Sequence, residues 1–202
     1  LVGAEPSFPE EHRAVLLVDV AVLAKPSARA RRVAVLREFR PDFRPQYVLA
    51  LAVVKDRRDR ARWYRVSVPG RPNGRTGWVR ASSLELGPVR KRVVIDRGAR
   101  TFQFWQGSRL VRSGRVAVGK PGAETPLGLF YVTWKFDPNG AGGLGDYAFE
   151  TSAYSNLSDW PGGGIVGMHG TGSPQLLGQA VSHGCIRLHN RDINFLSTRV
   201  PI

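Results

Sequence analysis

Ser182-His183-Gly184-Cys185-Ile186-Arg187-Leu188 is the stretch on which the reading of this chain turns. Cys185 is the only cysteine, and His169, His183 and His189, three of the four histidines, lie within about twenty residues of it. A thiol becomes a useful nucleophile when a base takes its proton or a positive neighbour lowers its pKa. Gly184 has no side chain, so a carbonyl group can come close to the backbone N–H groups beside it. A lone cysteine is more often a small buried hydrophobe. Ser, His and Gly directly before it make a poor core strand, however, and Arg187 favours a thiolate. His169, His183, Cys185 and His189 would also be a zinc-ligand set. The C-x-x-C pairs of structural zinc sites are missing, so no metal is expected.

In such a site Cys185 attacks a carbonyl and forms a thioester, and one histidine takes the thiol proton and later returns it to the leaving amine. Two histidines qualify. His183 stands two residues from Cys185, which on extended chain puts both side chains on one face. His169 stands on a separate segment and would approach from across a cleft. Spacing does not choose between them. An Asn or Asp that orients the base is not obvious in the sequence; a backbone carbonyl near Gly170, or the Ser182 hydroxyl, would serve. The N–H groups of Gly184 and Cys185 are the expected oxyanion donors. Arg187 fits either a substrate carboxylate or a structural salt bridge.

Met168-His169-Gly170-Thr171 followed by Ser182-His183-Gly184-Cys185-Ile186-Arg187 resembles the L,D-transpeptidases of the YkuD type. The resemblance runs back through Thr125-Pro126-Leu127-Gly128-Leu129-Phe130 to about Arg92. It implies a β-sandwich or barrel-like catalytic domain with a few short helices and a loop lid. It implies His169 as the general base and His183 in a supporting role near the oxyanion and substrate, with Cys185 and Gly184 completing the catalytic set. The implied substrate is a peptidoglycan stem peptide. Its bond between a diamino acid and D-Ala is cleaved, and the acyl group passes to an amine of a neighbouring stem in a three-to-three cross-link. Carbapenem β-lactams are the implied inhibitors, acylating the cysteine, and no metal or organic cofactor is implied. The implied location is extracytoplasmic, in periplasm or cell wall. Arg187, Ser182, Gly170, Thr171, Tyr154 and Trp160 are the expected substrate contacts. An L,D-carboxypeptidase or other cysteine peptidase acting on the wall, with water as acceptor, is the nearest alternative. A non-enzymatic wall-binding protein is the other.

The rest of the composition sets bounds. Apolar residues make up 42% of the 202, enough for a buried core. The 23 glycines and 14 prolines favour turns over long helices. Net charge is +14, with 17 Lys and Arg against 9 Asp and Glu in residues 1–87 and 13 against 7 in residues 88–202. A diffuse positive charge of this kind suits an anionic surface such as a bacterial wall. A nucleic-acid binder would concentrate it with stacking aromatics, so no nucleic-acid partner is expected. The densest basic run, residues 55–65, is interrupted by Asp56 and Asp59 and reads as a solvated loop. The longest apolar run, near Ala14–Ala24, contains Asp19 and is too short to cross a bilayer, so no integral membrane span is expected. The chain begins at Leu1 without Met and reads as a mature or trimmed form.

Taken in order, the sequence predicts a mainly β protein of two domains. Residues 1–13 are an extended lead-in. Val15–Val22, Val33–Leu36, Tyr47–Val54, Trp63–Val68 and Gly77–Val79 are apolar stretches, separated by turn signals such as Pro69-Gly70-Arg71-Pro72-Asn73-Gly74. Residues 1–87 are thus expected to form a small β-barrel. The order Trp-Tyr-x-Val, Gly-Trp-Val, Leu resembles bacterial SH3-like modules, which implies wall binding or positioning. Gly87-Pro88 marks the expected boundary, and residues 88–202 the catalytic domain. There Val93–Asp96, Thr101–Trp105, Leu110-Val111, Val116–Gly119 and Gly128–Trp134 are expected strands. Residues 137–164 are expected to be a long loop, a candidate lid or substrate wall with glycine hinges. Ser173-Pro174 predicts a short helix bearing Leu176, Leu177 and Ala180, and Asn190 is expected to cap a final one.

Overall fold

A computed structural model of the chain describes residues 12–139, 141–159 and 161–202. Most of the expected lead-in, and Trp160 with its expected substrate contact, lie outside the described residues. The described residues form two compact units, one ending at Val89 and one beginning at Arg90. Both are mainly β.

The first unit holds β1 (His12–Leu16), β2 (Val20–Leu23), β3 (Arg32–Leu36), β4 (Tyr47–Lys55), β5 (Ala61–Ser67), β6 (Thr76–Arg80) and β7 (Leu84–Pro88). They pair in the order β3-β2-β6-β5-β4-β1-β7. Alternation along the strands sends Ala14, Leu16, Val22, Val48, Val66 and Val79 into one core. The expected single stretch Val15–Val22 is two strands. Asp19 divides it, because its carboxylate accepts the Glu38 N–H at 2.9 Å and pairs with Arg37 at 2.6 Å, which fixes a turn. The basic run at 55–65 is the β4–β5 hairpin. Its charges pair locally, Lys55 with Asp59 at 3.0 Å and Arg60 with Asp56 at 2.9 Å. Strand β7 continues through Gly87 and Pro88, so the sheet absorbs the Gly-Pro pair and the unit ends at Val89.

The second unit opens with an antiparallel meander, β8 (Lys91–Asp96), β9 (Thr101–Gln106) and β10 (Arg109–Arg115). β11 (Val118–Gly119) pairs in parallel with β15 (Ala180–Ser182). A four-stranded sheet follows in the order β12-β13-β14-β16, from Val132–Phe136, Ala148–Tyr154, Ile165–His169 and Ile186–Arg187. Phe102, Phe104 and Val116 from the first part meet Phe149, Val166, Met168, Ile186 and Leu188 from the second in one core, which α1 (Asn190–Ser197) completes with Ile193 and Leu196. Each such side chain contributes roughly 1.5–3 kcal/mol by leaving water.

Four expectations change here. Strand β12 begins only at Val132, although Tyr131 before it still accepts the Ser152 N–H at 2.9 Å; Gly128, at φ +140, departs from extended chain. Residues 137–164 are not one loop. Strand β13 runs through their middle and buries Phe149, with the Tyr147 ring edge-on to it at 6.0 Å. At Ser173-Pro174 a single 3-10 turn, Pro174–Leu176, replaces the expected helix, and Ala180 belongs to β15. The final helix does form, but His189 is its N-cap, its ring nitrogen accepting the Arg191 N–H at 3.3 Å. The Asn190 side chain is engaged elsewhere.

Candidate active site

His169 ends β14, and Cys185 stands directly before the neighbouring β16. β14 and β16 run parallel, with Met168 opposite Ile186 and His169 opposite Arg187. Alternation turns Val166, Met168 and Ile186 into the core and leaves Gly167, His169 and Arg187 on the other face. Cys185 stands one residue before β16, half-buried, and its Sγ accepts the Gly167 N–H at 3.3 Å. A Cβ built on Gly167 would lie 3.7 Å from Cys185 Sγ and 3.8 Å from His169 Cδ2. Thiol and imidazole therefore converge over Gly167, where the absent side chain leaves them room.

His169 is 5% exposed, and its Nδ1 lies 2.6 Å from the Gly170 carbonyl oxygen. A carbonyl only accepts, so Nδ1 carries the proton and Nε2 keeps its lone pair. Burial holds the His169 pKa below the usual imidazole value; the Gly170 hydrogen bond opposes this, the Arg187 charge reinforces it, and a Leu144 backbone hydrogen bond opposes it. Burial pushes the Cys185 thiol up, against the Gly167 N–H and the Arg187 charge. The sequence suggests that Arg187 favours a thiolate; burial outweighs it. Both directions favour a neutral thiol beside a neutral imidazole over the ion pair.

The reactive turn is braced from below. Ser182, fully buried, donates from Oγ to the Cys185 carbonyl at 2.6 Å and accepts the Gly184 N–H at 3.2 Å. Thr125, 4% exposed, donates from Oγ1 to the Gly184 carbonyl at 2.8 Å and accepts the Gly119 N–H at 2.9 Å. Gly184 itself is at φ +115, and a Cβ there would meet Ser155 Cβ at 2.9 Å. This left-handed bend removes the extended chain on which His183 and Cys185 would share a face. In this bend the Gly184 N–H, expected as an oxyanion donor, donates to Ser182 Oγ. Among the described residues no acceptor takes the Cys185 N–H.

The expected substrate contacts separate into two groups. Ser182 and Thr171 are buried and use their polar atoms internally, Thr171 Oγ1 accepting the Ser173 N–H at 3.1 Å. They, with Gly170, shape the site from within. Arg187 is half-buried on the reactive face and, among the described residues, has no carboxylate partner. Tyr154 ends β13 opposite Ile165, at the far end of β14 from His169. Among the described residues no cluster of three His, Cys, Asp or Glu is placed to hold a metal ion. Gly167, Thr125 and Ser155 escaped the sequence reading. A glycine inside the apolar run Ile165–Met168 was the available signal for the first, since glycine in a strand marks close approach. Thr125 lies in the quoted Thr125-Pro126 motif, but nothing local reveals its reach to Gly184.

Residues 90–202 match the YkuD family, the L,D-transpeptidase catalytic domain. The chain belongs to this family. The match to the L,D-transpeptidase domain begins at the residue where the second unit begins. YkuD of Bacillus licheniformis, which carries an L,D-transpeptidase name, is 36% identical over 110 residues, covering 54% of this chain and 60% of that protein. YkuD of Bacillus subtilis is 34% identical over 109 residues, with the same coverage. The chain thus spans 60% of the length of these curated relatives. An L,D-transpeptidase structure from Mycobacterium smegmatis is 18% identical with a TM-score of 0.48, over 96% of each chain. Among the described residues no helix is long and apolar enough to cross a membrane.

Proposed function

We propose that the second unit is a cysteine-dependent acyltransferase acting on peptidoglycan stem peptides outside the cytoplasm. The observation that carries this reading is the convergence of Cys185 Sγ and His169 over Gly167. His169 Nε2 takes the thiol proton as the sulfur attacks the carbonyl that precedes D-Ala. The Cys185 N–H, with no acceptor of its own among the described residues, donates to the developing oxyanion, and His183 supports that side. Collapse breaks the amide bond; the imidazolium returns its proton to the departing D-Ala amine, leaving a thioester. An amine of a second stem then attacks the thioester, His169 accepts its proton, and the thiol re-forms as the cross-link is released. Arg187, without a carboxylate partner among the described residues, is suited to a substrate carboxylate. The first unit, an SH3-like module in this reading, positions the enzyme on the anionic wall, consistent with its charge.

The test is intact mass after incubation with a carbapenem. One adduct on the wild type, absent in Cys185→Ala, is expected. An unmodified wild type, or an adduct that survives Cys185→Ala, overturns the assignment. Product analysis on stem tetrapeptide with an acceptor amine then separates transfer, which is expected, from hydrolysis.

A further inference from the structure

Cysteine–histidine catalysis is commonly completed by a third side chain that holds the base in one tautomer. Among the described residues no side chain bonds His169 Nδ1 in that role; the Gly170 carbonyl does. That carbonyl belongs to the same planar, trans peptide group as the Thr171 N–H, so the two point in opposite directions. The Thr171 N–H donates to Asn190 Oδ1 at 2.9 Å. Asn190 therefore holds one end of a rigid plate whose other end receives the His169 proton.

The amide of Asn190 is itself fixed. Its Oδ1 also accepts the Asp146 N–H at 3.4 Å, and its Nδ2 donates to Asp146 Oδ1 at 2.6 Å. The second Asp146 oxygen accepts from Asn194 Nδ2 at 2.8 Å, one turn further along α1. Two glycines make room for this wedge. A Cβ at Gly145 would stand 2.3 Å from Asn190 Oδ1 and 2.4 Å from the Gly170 carbonyl carbon, and one at Gly170 would stand 2.2 Å from Asn190 Oδ1. One carboxamide thus ties the peptide that meets the ring to the Gly145–Asp146 segment packed against it.

We propose that Asn190, held by Asp146 and Asn194, is the positioning residue of the catalytic base, acting on His169 through the intervening Gly170–Thr171 peptide. The assignment rests on the reading of His169 as the base. A peptide that donates at one end becomes a better acceptor at the other, so the Asn190 contact also strengthens the hold on Nδ1–H. The exposed position of Asp146 and its amide-only partners leave the relay uncharged apart from that one carboxylate, which lies at the N-terminus of α1 where a negative charge is favoured.

The experiment uses the full chain labelled with 15N-histidine, with the His169 tautomer read by long-range 15N–1H correlation and acylation measured with a carbapenem. In the wild type His169 is expected as the Nδ1–H tautomer. In Asn190→Ala the Nε2–H form should gain population. The maximal acylation rate should fall roughly ten- to hundredfold, part of the 10²–10⁴-fold typical of a general base, at an unchanged half-saturating concentration. The exchange Asn190→Asp with Asp146→Asn keeps an acceptor for the Thr171 N–H and a donor–acceptor pair between the two side chains, and should regain most of the rate. An Nε2–H tautomer in the wild type overturns the proposal. So does an Asn190→Ala variant that melts lower yet keeps tautomer and rate, or a folded exchange variant with no recovery. If Asn190→Ala does not fold, the wild-type tautomer and the exchange variant decide. If the wild type forms no adduct, the functional reading fails, while the tautomer still decides the relay.

Discussion

The Thr125 hydroxyl donates to the Gly184 carbonyl at 2.8 Å, across 59 residues of chain. With the Gly119 N–H on its other side, this buried group ties β11 to the turn that carries Cys185. Thr125→Val keeps the shape and removes both partners, leaving a buried N–H and a buried C=O unsatisfied. We expect a loss of roughly 1–3 kcal/mol in urea unfolding together with slower acylation, and near wild-type behaviour from Thr125→Ser. A Thr125→Val protein as stable and as reactive as the wild type would show that the bond is dispensable.

Gly184→Ala meets two obstacles at once, a backbone at φ +115 and Ser155 Cβ at 2.9 Å from the new methyl group. Strain of this kind costs about 1–3 kcal/mol. The substitution should lower the melting temperature and the rate of Cys185 alkylation together. Gly172→Ala, where no atom lies within 4 Å, is the control and should change neither.

The pH profile follows from burial of both reactive groups. His169 has its pKa lowered in the folded state, so its contribution to stability is present above the imidazole value of about 6.5 and is lost as pH falls below it. Cys185 has its pKa raised, so its contribution is present below the thiol value of about 8.5 and is lost as pH climbs towards the folded value. Unfolding titrations should show a plateau between these limits. His169→Gln should flatten the acid edge and Cys185→Ser the alkaline edge. Acylation should stay active below the usual imidazole pKa, because His169 remains unprotonated there.

Away from the site, Arg112 on β10 pairs with Asp192 on α1, Nε to Oδ1 at 2.7 Å, and lies over the Phe195 ring at 4.7 Å. The Asp192 side chain is 7% exposed. Arg112→Met strands a buried carboxylate and should cost about 3–5 kcal/mol by denaturant unfolding. Arg109→Met, on the exposed end of the same strand, should cost little. Equal losses from both would remove the ion pair from the account.

Much of this was legible along the chain. Period-two runs such as Trp63–Val68 and Thr101–Trp105 read as strands, and a cysteine set among Ser, His, Gly and Arg reads as chemistry rather than core. What failed was local reasoning about features decided at a distance. Asp19 breaks an apolar run because Arg37 and the Glu38 N–H, from the two residues that follow β3, come to it. Strand β13 was hidden by the glycine-rich turns on either side, which coloured the composition of the whole segment. Asn190 has the chemistry of a helix cap, yet Asp146 and Thr171 claim its amide and leave the cap to His189. Arg187 beside Cys185 suggested a thiolate, because burial cannot be read from neighbours in sequence.

His169 and Cys185 sit on β14 and on the residue leading into β16, strands laced directly to each other, while the chain between them wanders out through Gly172 and Pro174 before returning. Their alignment owes nothing to the length of that excursion. A loop lengthened within residues 172–177 should therefore leave the register of His169 against Arg187 as it is.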